Sequence, residues 1–93
     1  MVAREKQESF SMKNLIEYIL IHLVEHPEEV EVIESEDDRG MVYTIHVHQD
    51  DIGRVIGKGG SVIQSIRNIG KSRAVKEGIR AYINLEETDS DAE

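Results

Sequence analysis

Apolar residues recur at helical spacing near the start of the chain. From Met12 to Val24, seven of them fall at i, i+3, i+4, i+7, i+8, i+11 and i+12, which places them on one face of a helix. Ser11 is a residue type that caps helix N-termini, and Pro27 pushes the residue before it out of the helical conformation. The pattern therefore predicts an amphipathic helix that begins after Ser11 and ends at His26.

Three later segments alternate apolar and polar residues, which is the period of a half-buried strand. Residues 30–36 and 41–48 are two of them, and the Asp-Asp-Arg-Gly sequence between them is typical of a turn. Together they predict a β-hairpin. The third segment, residues 79–85, has Ile79, Ala81, Ile83 and Leu85 on one face and predicts a last strand.

Residues 50–78 predict two helices separated by a glycine-rich break. Asp50 is placed to cap a short first helix, and the sequence Gly-Lys-Gly-Gly at positions 57–60 ends that helix. Gly78 is expected to end the second helix in a left-handed conformation. The apolar side of the second helix is predicted to comprise Val62, Ile63, Ile66, Ile69 and Ala74.

The element order is αββααβ, and it defines the fold class. Each strand has one apolar face that helices must cover, so we predict an α+β domain of two layers. Its three-stranded mixed sheet is covered by helices on one face. We expect one domain over residues 11–86, a flexible segment over residues 1–10 and an acidic disordered tail over residues 87–93.

Composition narrows the class of protein. The 93 residues include no cysteine, which argues against a disulfide-stapled secreted protein and against a zinc ribbon. No apolar run approaches the roughly 18 residues that a membrane helix needs, and the N-terminus is too charged for a signal peptide. We therefore expect a cytoplasmic protein that does not associate with membranes.

The formal net charge is −8, but basic residues are concentrated in one segment. Residues 53–80 carry seven Lys or Arg and one Glu, whereas residues 1–52 carry thirteen Asp or Glu and four Lys or Arg. Salt screens charges beyond about 8 Å, so the local field decides where a polyanion docks. The basic segment is a candidate anion-binding surface, although a solvated helix face also carries charge.

The glycine-rich break does not have the spacing of a nucleotide-binding loop. A Walker A loop needs four residues between its first glycine and Gly-Lys, and only three separate Gly53 from Gly57. A dinucleotide fingerprint starting at Gly57 would need glycine in place of Val62 and a strand before it. A Gly-x-x-Gly loop between two helices instead fits a clamp for a sugar-phosphate backbone. Glycine permits close approach there, and the following helix presents its positive end.

This stretch and the element order resemble KH domains of the second type, and residues 12–85 are similar to the small bacterial single-KH proteins of the KhpA family. The sequences HPEEVEV, DIGRVIGKGG and the closing strand carry the resemblance. It implies binding of single-stranded RNA with low sequence specificity, the loop holding about four nucleotides. The candidate RNA-binding residues are Ile52, Arg54, Val55, Ile56, Gly57, Lys58, Gly59, Gly60, Ser61, Ile63 and Arg67.

The same resemblance implies protein partners and a cellular role. The partners would be a second copy or a larger KH-containing protein of the Jag type, and the role that of an RNA chaperone or post-transcriptional regulator connected with cell shape. The alternative function is a protein-interaction module that keeps the KH fold. The sequence Asn-Ile-Gly at 68–70 departs from the family, because it interrupts a helix that is usually alanine-rich there, and this departure bears on the helix length and on contacts made through the helix. A dimer seam would be formed by Val62, Ile66, Ile69 and Gly70, unless these pack on the chain's own sheet.

Other residues indicate no cofactor, metal site or small-molecule substrate. His22 and His26 lie one helical turn apart, and His46 and His48 share a strand face, but neither pair has a third ligand in the predicted fold. The sequence has neither a nucleophile elbow nor a carboxylate isolated within an apolar segment, so it does not indicate an enzyme. The five acidic residues from Glu86 onward form a tail that could compete with RNA for the basic segment.

Overall fold

The computed structural model describes residues 11–87, which form three helices and three strands. The elements are α1 (Met12–Ile21), β1 (Glu31–Asp37), β2 (Gly40–His46), α2 (Ile52–Ile56), α3 (Ser61–Glu77) and β3 (Ala81–Leu85). The predicted αββααβ order and α+β class are confirmed. No helix within the described range is long and apolar enough to cross a membrane. The expectations for residues 1–10 and for the tail beyond residue 87 lie outside the described residues.

The sheet has the order β1-β2-β3, with β1 antiparallel and β3 parallel to the central strand. The predicted hairpin is present, with Glu31 opposite His46 and Asp37 opposite Gly40. Met41 lies opposite Ala81 in the parallel pair. This order leaves β1 and β3 as the two edges of the sheet, and α3 packs beside β3.

One face of the sheet packs on the helices and forms the core. The central strand contributes Tyr43 and Ile45, which are almost fully buried, and Val47 follows them. From the helices, buried side chains at helical spacing meet this face. They are Met12, Ile16 and Leu20 of α1, Val55 of α2, and Ile63, Ile66 and Ala74 of α3.

Helix α1 ends earlier than its apolar stripe predicts. The stripe reaches Val24, but the helix stops at Ile21, and the N–H groups of Leu23 and Val24 both donate to the Leu20 carbonyl. The next two N–H groups donate to the Asp51 carboxylate rather than continuing the helix. A side chain distant in the sequence therefore sets the end of α1.

Helix α3 runs without interruption through the Asn-Ile-Gly sequence, but its buried side differs from the prediction. Ile69 is 46% exposed, and Gly70 takes its place in the core. A Cβ at Gly70 would lie 2.5 Å from the Cδ1 atom of Ile83, so glycine allows α3 to approach β3 closely. Ile66 and Gly70, two members of the possible dimer seam, therefore pack on the chain's own sheet.

Candidate nucleic-acid interface

The glycine-rich loop turns the chain from α2 into α3 within four residues. Gly57, Gly59 and Gly60 have φ angles of 76°, 63° and 79°, a region that glycine enters without the steric cost of a side chain. The Gly60 N–H donates to the Gly57 carbonyl at 3.1 Å and closes the turn. Lys58 lies inside this turn with its side chain exposed, so the loop presents a mobile positive charge.

The glycines of the loop have two different roles. A Cβ at Gly57 would lie 2.7 Å from the Cβ and 2.8 Å from the backbone N of Val62, so this glycine is needed for the fold. A Cβ at Gly59 or Gly60 would meet nothing within 4 Å. These two positions leave open space for an approaching backbone. The 17-residue helix α3 starts directly after them and directs the positive end of its dipole at the loop.

A buried carboxylate fixes the segment before the loop. Asp51 is 1% exposed and accepts hydrogen bonds from the N–H groups of Glu25 and His26, both at 3.0 Å. Burial acts to raise the pKa of the Asp51 carboxyl. The two hydrogen bonds, with the charges of His26 and Arg54, outweigh burial and hold the pKa below its ordinary 3.8.

The predicted helix cap at Asp50 is wrong. The Asp50 N–H donates to Nδ1 of His48 at 2.9 Å, and the residue in the cap position is Asp51, whose side chain makes no cap hydrogen bond. The reason is that the Asp51 carboxylate already binds the backbone after α1. The sequence pattern does not show this contact, because its partners lie 25 and 26 residues away.

Apart from Arg67, the candidate RNA-binding residues fall into three groups. Lys58, Gly59 and Ser61 are exposed on the loop, with Gly57, Gly60, Ile52 and Ile56 half-buried around them. Val55 and Ile63 are buried in the core, so in this arrangement they hold the two helices in place. Arg54 is exposed but forms ion pairs with Glu25 at 2.9 Å and with Asp51 at 3.3 Å.

Arg67 lies on a groove between α3 and β3, whose lining on α3 begins at Gln64, about one helical turn after the loop. Its Nε donates to the Ile83 carbonyl at 3.0 Å and joins the helix to the open edge of β3. The groove has a volume of about 330 Å³. It is lined by Arg39, Gln64, Arg67, Asn68, Lys71, Ala81, Tyr82, Ile83 and Asn84. None of these nine residues, all within the described chain, is acidic.

Of the groove residues, only Arg67 is among the candidate RNA-binding residues that the sequence predicts. On α3, Gln64, Asn68 and Lys71 follow each other at intervals of four and three residues, a polar stripe that helical spacing could have indicated. Arg39 and Tyr82 come from the hairpin turn and from β3. They meet only because the parallel strand pairing brings the start of β3 next to that turn, and no local pattern encodes this.

The histidines pair differently from the sequence-based expectation. His26 and His48 stack with ring centroids 3.9 Å apart, and together with Asp50 they offer three ligand atoms within 4.8 Å of one another. The two rings lie at only 20° to each other, so their lone pairs do not converge on a common point. Nδ1 of His48 also accepts the Asp50 N–H. The contact joins two loops, and the expectation of no metal site stays a prediction.

A mixed three-stranded sheet in αββααβ order, with a Gly-x-x-Gly loop between two helices, defines a KH domain of the second type. The family model described as "KhpA/KhpB, KH domain" matches residues 13–85. The chain belongs to this family, a family of binding proteins and not of enzymes.

Bacterial relatives cover most of the chain. The protein is 38% identical over 74 residues to "RNA-binding protein KhpA" of Oceanobacillus iheyensis. The aligned segment covers 80% of this chain and 99% of that relative. It is 36% identical over 76 residues to the protein of the same name from Chlamydia pneumoniae, with 82% and 97% covered. The Thermotoga maritima protein is 48% identical over 56 residues, with 60% and 75% covered.

A solved structure has a similar fold. The crystal structure of an Aquifex aeolicus Era variant bound to GDP and aluminium fluoride superposes with a TM-score of 0.55 at 19% sequence identity. The match covers 80% of this chain and 29% of the Era chain. At this identity the similarity concerns the fold alone.

Proposed function

We propose that the protein binds single-stranded RNA and holds its sugar-phosphate backbone on the Gly57–Gly60 loop. The observation that carries the proposal is the geometry of this loop, because Gly59 and Gly60 leave open space beside Lys58 at the positive end of α3. Relatives at 34–38% identity over most of their length are named RNA-binding proteins, which supports the same function.

The residues around the loop would divide the work of binding. Backbone N–H groups at the helix start and the Lys58 ammonium attract phosphate. Arg54 is held one turn before the loop by Glu25, and a phosphate would compete for that exposed ion pair. Contacts of this kind fix the RNA backbone without reading bases, so we expect low sequence specificity.

The bases would then lie along the groove. Half-buried Ile52 and Ile56 offer apolar surface near the loop, and Arg67 and Lys71 keep the field positive along α3. Amides of Gln64, Asn68 and Asn84 can hydrogen-bond base edges. The lack of acidic residues along the groove allows a polyanion to follow it.

The test is a fluorescence-anisotropy titration of a mixed-sequence single-stranded RNA at about 50 and about 200 mM salt. We expect the wild type to bind more weakly at the higher salt, and the double variant Lys58→Asp, Gly59→Asp to lose binding. Circular dichroism must show that the variant remains folded. Equal binding by both proteins, or binding by neither, would contradict the proposal.

A matched control is available at the other end of α3. Lys76 is exposed, and Gly78 has a φ of 74° with nothing within 4 Å of an added Cβ. The double variant Lys76→Asp, Gly78→Asp therefore makes the same charge change and, like the loop variant, replaces a glycine that has a positive φ. Binding that survives in this variant, but not in the loop variant, locates the site at the loop rather than in net charge.

The role in the cell belongs to the same proposal. A sequence-tolerant grip suits an RNA chaperone or post-transcriptional regulator acting in the cytoplasm, and a role in cell shape would follow from the transcripts it binds. Crosslinking of the protein to RNA in cells, followed by sequencing, tests this role. Recovery of RNA no greater than with the loop variant would exclude it.

Association through α1 is a second candidate function, favoured by exposed apolar side chains. Tyr18 is 55% exposed and Ile21 43% exposed on this helix, and Leu23 follows them. We propose that this face contributes to a homodimer, or to a heterodimer with a larger Jag-type KH protein. Sedimentation of the wild type and an Ile21→Glu variant, alone and mixed with the Jag-type protein, tests it. Identical behaviour of both proteins would exclude this face.

A further inference from the structure

An arginine lies over an aromatic ring where the groove meets the hairpin turn. The guanidinium carbon of Arg39 is 5.0 Å from the centroid of the Tyr82 ring. Both residues line the groove, together with Lys71 of α3 and Asn84 of β3. The groove therefore contains an aromatic ring with a guanidinium over it, and its lining includes none of the loop residues 57–60.

The Arg39 side chain is positioned before any ligand arrives. Its backbone N–H donates to Oδ1 of Asp37 and its guanidinium donates to Oδ2, both at 2.8 Å. The hairpin turn is itself fastened to the start of β3, because the Met41 N–H donates to the Arg80 carbonyl at 3.0 Å. Arg39 is 62% exposed at its side chain, so it can move aside or re-form its contacts around a ligand.

We propose that Tyr82 and Arg39 form a base-stacking subsite for single-stranded RNA, beyond the nucleotides that the loop holds. The inference rests on the proposed RNA grip and adds a second point of attachment. A nucleobase would stack on the Tyr82 ring while the guanidinium of Arg39 contacts its π face or the adjoining phosphate. Every base has such a face, so the subsite adds affinity without adding sequence preference.

A structural role of Tyr82 can be distinguished from the proposed stacking role. Tyr82 is opposite Val42 in the sheet register, and both lie on the sheet face away from the helices, where cover by neighbouring groups leaves Val42 8% exposed. An aliphatic residue could provide that cover equally well. A purely structural role and a stacking role therefore differ in what Tyr82→Leu should do, since leucine keeps the apolar cover and removes the ring.

The experiment measures 2-aminopurine fluorescence and RNA affinity for the wild type, Tyr82→Phe and Tyr82→Leu. Two RNAs are used, and in each the single 2-aminopurine is placed at one position after another. One RNA has about four nucleotides, the length that the loop holds, and the other about eight. In the wild type and in Tyr82→Phe we expect quenching at one position of the longer RNA outside the loop-bound segment. In Tyr82→Leu we expect this quenching to be lost and the affinity for the longer RNA to fall about tenfold. Affinity for the short RNA should stay unchanged.

The outcomes separate this subsite from the loop grip. Unchanged binding and quenching in Tyr82→Leu would overturn the subsite and leave the loop grip standing. An equal loss for both RNAs would indicate a folding effect and would also overturn it, and thermal melts of all variants check this. Binding of neither RNA by the wild type would refute both proposals. Val75→Leu, at a residue of α3 that is 73% exposed and outside the groove, is the control and should bind both RNAs like the wild type.

Discussion

At the scale of single residues, Asp51 joins three parts of the chain. It is the one buried charged residue among residues 11–87, and its carboxylate binds two N–H groups after α1 and the Arg54 guanidinium on α2. It thus ends one helix and fixes the start of another. Because α2 leads directly into the glycine loop, Asp51 also determines where the loop lies.

Asp51 should make stability depend on pH. Its pKa is lowered in the folded state, so its contribution is present above the ordinary value of 3.8 and is lost as the pH falls through the folded pKa. Asp51→Asn should lower Tm by several degrees at pH 7. The difference from the wild type should shrink below pH 4. Thermal melts from pH 7 to pH 3 measure it, and two parallel Tm curves would contradict it.

The two roles of the loop glycines give a second prediction. Gly57→Ala must place a Cβ against Val62 in a left-handed conformation, and we expect it to lower the free energy of unfolding by about 2–4 kcal/mol. Gly59→Ala has only the conformational cost, about 1–2 kcal/mol. Urea denaturation of both variants measures the difference. Equal effects would show that the Val62 contact does not matter.

At the scale of elements, one side of α3 packs on the sheet and another side lines the groove. Ile63, Ile66 and Ala74 hold it on the sheet, and the stripe through Gln64, Asn68 and Lys71 lines the groove. Gly70 brings the helix close to Ile83, which sets the width of the groove beside β3. The same close packing that stabilises the domain therefore shapes the surface proposed to bind RNA.

Two neighbouring isoleucines of α3 test this division. Ile66 is 3% exposed and Ile69 is 46% exposed. Ile66→Asp should unfold the domain, because it buries an unpaired carboxylate and removes core contacts worth several kcal/mol. Ile69→Asp should change stability by about 0.5 kcal/mol or less. Circular dichroism and urea melts measure both, and a folded monomer for Ile66→Asp would instead support its place in a dimer seam.

At the scale of the whole molecule, an acidic protein has a basic groove. The net charge is −8, yet Lys58, Arg67 and Lys71 follow one another from the loop along the groove. We therefore expect affinity for RNA to depend on the local field and on counterion release. With about three phosphate contacts on a single strand, log K should fall against log salt with a slope near −2.

The acidic residues after β3 should weaken RNA binding at low salt. Residues 88–93 carry three acidic residues and follow the strand that borders the groove. Deletion of these six residues leaves Glu86, whose N–H donates to the Ile45 carbonyl, in place. We expect affinity to rise several-fold at about 50 mM salt and to change little at about 200 mM. Unchanged affinity at low salt, measured by anisotropy titration, would contradict competition between these acidic residues and RNA for the basic segment.

Local patterns sufficed for most of the fold. Periodicity located the helices and strands, and the hairpin, the mixed sheet and the left-handed Gly78 are all present. The errors have a common cause in contacts between distant segments. Asp51 ends α1 and replaces the expected cap at Asp50, and close packing on Ile83 puts Gly70 rather than Ile69 in the core.

The candidate site was predictable in its loop and less so in its groove. Gly57–Gly60 and Arg67 follow from the motif and its charge, since the chemistry of phosphate binding is local. The contact between Arg39 and Tyr82 was not predictable from the sequence, because it depends on strand pairing between residues that are 43 positions apart. Burial of Val55 and Ile63 likewise depends on which side of each helix meets the sheet.

The parallel pairing of β2 with β3 has a consequence for biosynthesis. Met41 pairs with Ala81, so the central strand must wait for about forty further residues before its neighbour leaves the ribosome. Until then the hairpin has an open edge, and the groove lacks one of its two walls. The glycine loop is translated earlier, but a nascent chain without β3 lacks the complete groove that we propose for the bases. We therefore expect the proposed binding of RNA along the groove to begin only after β3 has been added.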